Sequence, residues 1–225
     1  MGDALQAIFF DVGNTLLFPD WNEMLAGLHQ RKITPGQDQL QAIERQTKNE
    51  FDAISESGSA VDHGFWHIFY SHLLESFALD DDLLLRDQLV RATRISANWC
   101  IIRPGTRETL HSLGRKYRLG VISNADGRIA QVLEQCGIAD CFQTIVDSGI
   151  VGQEKPHPAI FASALRAMGS RPEQSLYVGD IYSVDYLGAT AAGMRGILMD
   201  VCGAYRTRPW PRVESLEELE AKLNA

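Results

Sequence analysis

One short apolar run stands near the start of the chain, and over the C-terminal half such runs alternate with amphipathic stretches. Residues 7–10 read AIFF, 118–123 RLGVIS, 142–146 FQTIV, 175–179 SLYVG and 195–199 RGILM. Each has the length and character of a buried strand. Helix-like segments separate the later runs, at about 105–115, 127–136, 158–168 and 184–193. Pro158 suits the first turn of its helix, where a missing N–H costs nothing. The last segment, SLEELEAKL, predicts a helix with a serine cap and a glutamate three places on. Such alternation predicts an α/β fold: a Rossmann-like parallel sheet covered by helices on both faces.

Between the first strand and the second the pattern changes. From 16 to 97 the strand-like runs vanish, and segments near 20–31, 36–54, 61–78 and 81–97 read as helices. Phe65, Phe69, Leu73 and Phe77 recur at spacing four, with Trp66, Tyr70 and Leu74 beside them, which makes one broad apolar stripe. Breaks fall at Thr34-Pro35-Gly36 and Ser57-Gly58-Ser59. The expected organisation is a discontinuous core, 1–15 and 98–225, interrupted by an all-helical insert at 16–97. The stretch VCGAYRTRPWPR, 201–212, is expected to be a solvated loop pinned by Trp210; a crevice rim or partner surface is the alternative.

Composition narrows the function classes. The 225 residues, 45% apolar, suffice for one substantial core or two modest domains. With 21 basic and 29 acidic side chains the net charge is -8, so no nucleic-acid surface is expected. Cys100, Cys136, Cys141 and Cys202 show no C-x2-C pairing, and free thiols are expected. No apolar run nears the ~20 residues of a membrane span. The start, MGDALQAIFFD, has no basic leader, so a cytoplasmic location away from membranes is expected. The pattern sets no oligomeric state.

Candidate chemistry gathers just past strand ends. Asp11 follows the first strand, and Gly13 and Asn14 let the next turn wrap tightly. N–H groups of such a turn can cradle phosphate, and a carboxylate there can attack phosphorus; an Asx turn is the plainer alternative. Asp180 and Asp185 lie in VGDIYSVD. With Asp11 they offer oxygen ligands for Mg2+, although helix-capping acids would look the same. Ser123 and Asn124 end the second core strand; the Ser123 hydroxyl and the N–H that follows can each donate to a phosphoryl oxygen, or the pair merely caps a turn. Lys155, before Pro156, supplies a point charge for phosphate or is a surface lysine. In an open parallel sheet the C-terminal strand ends line the ligand crevice, which favours the functional reading of all four places.

Taken together, DVGNTL at 11–16, SN at 123–124, EKPHP at 154–158 and GDIYSVD at 179–185 resemble the haloacid dehalogenase-like hydrolase superfamily over nearly the whole chain. The insert at 16–97 is similar to the family's small helical cap. The resemblance implies a phosphatase-like hydrolase of a small phosphorylated metabolite. It implies Asp11 as nucleophile, and Mg2+ held by Asp11, the Gly13 carbonyl, Asp180 and Asp185. Ser123, Asn124 and Lys155 would bind the phosphoryl group beneath a cap that opens and closes.

One departure stands out. Phosphatases of this family usually carry a second aspartate two places after the nucleophile, and here that position is Gly13. Glycine cannot serve as a general acid, which favours good leaving groups, substrate-assisted proton transfer or a donor from the cap. His63, His67 and His157 are the candidate donors, and the turn at 55–59, Trp21 and Trp66 are candidate substrate contacts. The alternatives are a dehalogenase-type C–X hydrolase, a phosphomutase, and a non-enzymatic phosphate-binding or regulatory protein.

Overall fold

The computed structural model describes residues 4–56 and 62–225. In chain order its elements are β1 (Ala7–Phe10), β2 (Leu17–Pro19), α1 (Trp21–Met24), α2 (Ala26–His29), α3 (Gln37–Glu56), α4 (Asp62–Glu75) and α5 (Leu83–Thr93). After these come β3 (Trp99–Ile102), α6 (Thr106–Gly114), β4 (Arg118–Ser123), α7 (Ile129–Gln135), β5 (Thr144–Asp147), α8 (Ser148–Val151) and α9 (Pro158–Met168). The chain closes with β6 (Ser175–Gly179), α10 (Leu187–Ala191), β7 (Arg195–Met199), β8 (Arg212–Val213) and α11 (Leu216–Asn224).

Six strands form one sheet in the order β5-β4-β1-β6-β7-β8, every adjacent pair parallel. β1 sits at the centre, fully buried, because AIFF offers an apolar side chain to both faces. Ile8 and Phe10 face a cluster with α6, α7 and α11, including Leu110, Leu133 and Leu219. Ala7 and Phe9 face the opposite cluster, including Ile160, Phe161 and Ala189. The period-two alternation of a strand thus feeds two layers of helices. α9 follows its sequence signals: Pro158 in the first turn, the His157 ring accepting from the Ala159 N–H, and left-handed Gly169 at the end.

The helices between β2 and β3 have a core of their own. Leu28, Phe51, Phe69, Leu73 and Leu89 belong to it, and Ile181 and Val184 from beyond β6 join them. Trp21 stacks on Phe69 at 5.7 Å, which spends its ring on packing.

Some boundaries differ from the sequence reading. The segment 20–31 is two short helices, α1 and α2, with non-helical Leu25 between them. The stretch 81–97 stops being α-helical at Thr93 and leads through a short turn into β3. β2 and β3, which flank the helical insert, pair antiparallel as a two-stranded ribbon. Both are three or four residues long and β3 is only half buried, so neither shows a distinct apolar run. β5 begins at Thr144, and the helix expected at 184–193 opens with a π-helical turn, Tyr182–Tyr186. The stretch 201–212 is less solvated than expected: Tyr205 is buried, and Trp210 stacks on Tyr182 at 3.5 Å. All four cysteines are free. Among the described residues no helix is long and apolar enough to cross a membrane.

Candidate active site

The C-terminal ends of β1, β4 and β6 lie side by side, and the strand order reverses around β1. Asp11 is the first residue beyond β1, Ser123 ends β4, and Asp180 is the first residue beyond β6. Asp185 comes from the π-helical turn, and Lys155 from the loop between α8 and α9. All five are buried, and all five line a single cavity of about 240 Å³. A crevice at such a switch point is where this class of sheet binds ligands.

Lys155 is the hub. Its Nζ lies 2.5 Å from Asp11 Oδ1, 2.8 Å from Asp185 Oδ1 and 2.8 Å from the Tyr177 hydroxyl. Its backbone is clamped by Asn124, whose Oδ1 accepts from the Lys155 N–H at 2.7 Å while Nδ2 donates to the Lys155 carbonyl at 3.1 Å. The Asn124 side chain is thus committed to holding the lysine, while the group expected to meet phosphate at this position is the backbone N–H. Asp185 is fixed in turn, its Oδ2 accepting from the Ile181 N–H at 2.9 Å. Gly179 is required here, because a Cβ at that position would collide with the Asp185 side chain. Asn14 takes the left-handed backbone conformation of the turn after β1, at φ 52°.

A second cation enters from the helical insert. Lys48 on α3 is fully buried, 2.8 Å from Asp180 Oδ2 and 2.9 Å from Glu44 Oε1. One turn further, Asp52 accepts from the Ser183 N–H at 3.0 Å and from the Tyr205 hydroxyl at 2.9 Å. Glu44, Lys48 and Asp52 form an i, i+4, i+8 row along one side of α3. Their spacing was available in the sequence. What it lacked was any sign that this charged row would face inward.

Charge in the crevice is unbalanced. Burial pushes the Asp11 carboxyl up to about 8; Lys155 pulls it down, and Asp185 and Asp180 reinforce the rise. Burial likewise raises Asp180 to about 6, against Lys48. Burial works against the charge of both lysines, yet the surrounding acids more than offset it and hold both well above the usual lysine range. Asp11, Asp180 and Asp185 each place a carboxylate oxygen within 4.8 Å of the others. A buried, oxygen-only donor set short of positive charge fits a hard dication such as Mg2+.

The sign of these shifts gives a testable consequence. Between pH 4 and about 8 the folded metal-free protein binds more protons at Asp11 than the unfolded chain does. Stability therefore falls as pH rises through that window. Thermal melts in EDTA should give a lower Tm at pH 8 than at pH 5, and magnesium should recover more at the higher pH. A Tm that climbs between the two pH values in EDTA would contradict this charge balance.

Two of the three candidate proton donors stand elsewhere. His157 is exposed and caps α9, and His67 is half-buried; neither lines the cavity, and the His63 side chain lies outside the described residues. The resemblance that suggested a donor from the cap does not fix which face of α4 meets the nucleophile. Trp66 does line the cavity, with Phe65 and Trp99, whereas Trp21 does not. Of the turn at 55–59, residues 57–59 lie outside the described residues.

The match to known proteins agrees with this geometry. Residues 5–193 fit the model of the haloacid dehalogenase-like hydrolases. The chain belongs to that family. The hydrolase is 35% identical over 200 residues to a glyceraldehyde 3-phosphate phosphatase of Methanothermobacter thermautotrophicus, covering 87% of this chain and 86% of the relative. It is 37% identical over 136 residues to haloacid dehalogenase-like hydrolase domain-containing protein 3 of Xenopus laevis, 56% of this chain and 54% of that one. Among solved structures it resembles the HAD-hydrolase YfnB of Bacillus subtilis, with a TM-score of 0.71 and 21% identity over 99% of this chain and 100% of that one; that protein is described as bound to magnesium. A HAD phosphatase from Thermococcus onnurineus gives a TM-score of 0.62 at 23% identity, over 97% and 98% of the two chains.

Proposed function

We propose that this hydrolase is a Mg2+-dependent phosphomonoesterase that acts on a small phosphorylated metabolite through a phosphoaspartate at Asp11. The observation that carries the reading is the buried cluster in which Lys155 bridges Asp11 and Asp185 while Asp180 stands beside them. The phosphatase relative and the magnesium-bound structural neighbour support the same reading. Asp11, Asp180 and Asp185, with the Gly13 carbonyl, are the residues that would hold the ion. When bound, it would offset the repulsion between Asp11 and an anionic phosphate and polarise the phosphoryl group.

This chain's own residues do the rest. Lys155 orients the Asp11 carboxylate and neutralises part of the incoming charge. Ser123, at the end of β4, donates its hydroxyl to a phosphoryl oxygen. Asn124 acts through Lys155, by fixing its backbone. The segment 16–97 serves as a cap over the core formed by 1–15 and 98–225, and excludes water when seated. Metal-dependent phosphate chemistry is favoured over C–halogen chemistry because three carboxylate oxygens gathered within 4.8 Å suit a dication, which displacement at carbon does not call for.

The test is release of inorganic phosphate from p-nitrophenyl phosphate and from a panel of metabolite phosphates, in magnesium and in EDTA. Turnover in magnesium that EDTA abolishes is expected. A folded protein that releases no phosphate from any of them would sink the proposal.

A further inference from the structure

Gly13 is crowded by a neighbour and does not need an unusual backbone. Its φ is not among the positive values of the chain. A Cβ built there would stand 3.2, 3.4 and 3.5 Å from three ring carbons of Trp99. The indole is pinned from two sides: its Nε1 donates to the Thr93 carbonyl at 2.8 Å, and its ring packs edge-on against Trp66 at 5.5 Å. A side chain at position 13 would press its Cβ on the indole, which would have to give by a few tenths of an ångström. Two residues past the nucleophile the crevice therefore presents an aromatic face and no acid. Phe65 and Trp66 extend that face, and Ile181 and Val184 also line the cavity.

Resting on the phosphatase reading above, we infer that the site selects phosphate monoesters of acidic, aromatic hydroxyls over those of alkyl alcohols, with Trp99 as the residue that sets this preference. In the first step an Asp11 oxygen bonds to phosphorus and the ester P–O bond breaks. The electron pair leaves on the departing oxygen. An alkoxide needs a proton at that moment, and a positioned acid is worth ~10^2 to 10^4 in rate. A phenolate needs none, since its charge spreads into the ring, and the ring finds stacking partners in Trp99 and Trp66. In the second step water attacks phosphorus, the Asp11–phosphorus bond breaks, and the carboxylate is restored. The proton of water leaves with the phosphate product or to solvent. Two other carboxylates line the cavity: Asp126, which accepts from the Ser96 hydroxyl at 2.6 Å and from the Arg128 N–H at 3.2 Å, and Glu154, next to Lys155, which is the rival donor to be tested.

The experiment compares kcat/KM of the wild-type protein, in magnesium, for p-nitrophenyl phosphate, phenyl phosphate and glyceraldehyde 3-phosphate. This ratio reports the step in which the leaving group departs. A steep fall along the series is expected, with the alkyl ester ~10^3-fold or more below the nitrophenyl ester. Paired Gly13→Asp and Trp99→Ala substitutions should narrow the gap by at least tenfold, and Glu154→Gln should leave it unchanged. An alkyl ester turned over within tenfold of the nitrophenyl ester overturns the inference and leaves the phosphatase reading standing. A gap that widens in Glu154→Gln assigns the proton to that residue and overturns it too. No turnover of any ester would overturn the phosphatase reading and the inference with it.

Discussion

Asp11→Asn should abolish turnover without unfolding the protein. The amide keeps the size of the carboxylate and still offers Lys155 an oxygen in place of the one now 2.5 Å away. It is a poor nucleophile, however, and forms no phosphoaspartate. Loss of a nucleophile costs on the order of 10^4-fold or more in kcat. Stability should move the other way. Burial and two neighbouring acids make an ionised Asp11 unfavourable in the metal-free state, so a neutral side chain relieves that cost. In EDTA at pH 8 the variant should melt no lower than wild type. An acid-quenched mass spectrum during turnover should show a phosphoryl adduct on the wild type and none on the variant. Residual turnover near the wild-type level would remove Asp11 from the mechanism altogether.

That prediction rests on residues whose placement could be read from local pattern. Asp11, Ser123 and Asp180 each adjoin an apolar run long enough to be a buried strand. Once three such runs lie parallel and adjacent, their ends must share an edge. Lys155 was legible for a different reason: its loop precedes a proline that starts a helix, so it too falls near that edge. Residues delivered by tertiary docking were not legible. Lys48 lies mid-helix among Glu44, Thr47 and Asp52, a composition that reads as solvated, yet all but Glu44 are buried. Trp99 belongs to a four-residue strand with half its pattern exposed, and only the long-range pairing of that strand with β2 brings its ring to Gly13. Asn124 was placed correctly, but its side chain serves the lysine, a distinction that depends on a partner 31 residues away. Strand ends are fixed by short-range hydrophobicity, whereas the walls of the crevice are fixed by which face of each inserted element meets the core.

Lys48 therefore supplies the second large expectation. Lys48→Met should cost about 3–5 kcal/mol in EDTA at pH 8, the usual penalty for removing one partner of a buried pair. Methionine fills the space of the lysine stem, so a packing defect contributes little. The loss is electrostatic: Asp180 and Glu44 keep their burial and lose their shared cation at 2.8 and 2.9 Å. Two conditions should shrink the deficit. Near pH 5 Asp180 protonates, because its carboxyl already stands raised to about 6 and rises further without the lysine. Saturating magnesium should also shrink it, since a dication among Asp11, Asp180 and Asp185 replaces the missing charge and binds only the folded state. The second variant Asp180→Asn, alone and combined with Lys48→Met, closes the cycle and isolates the pair from the Glu44 contact. A purely steric role for Lys48 would give the same deficit at both pH values, with or without magnesium. A deficit that depends on both would mean that the inserted helix α3 is held to the core by the same carboxylates that await the metal. Seating of the cap and loading of the ion would then draw on one set of charges.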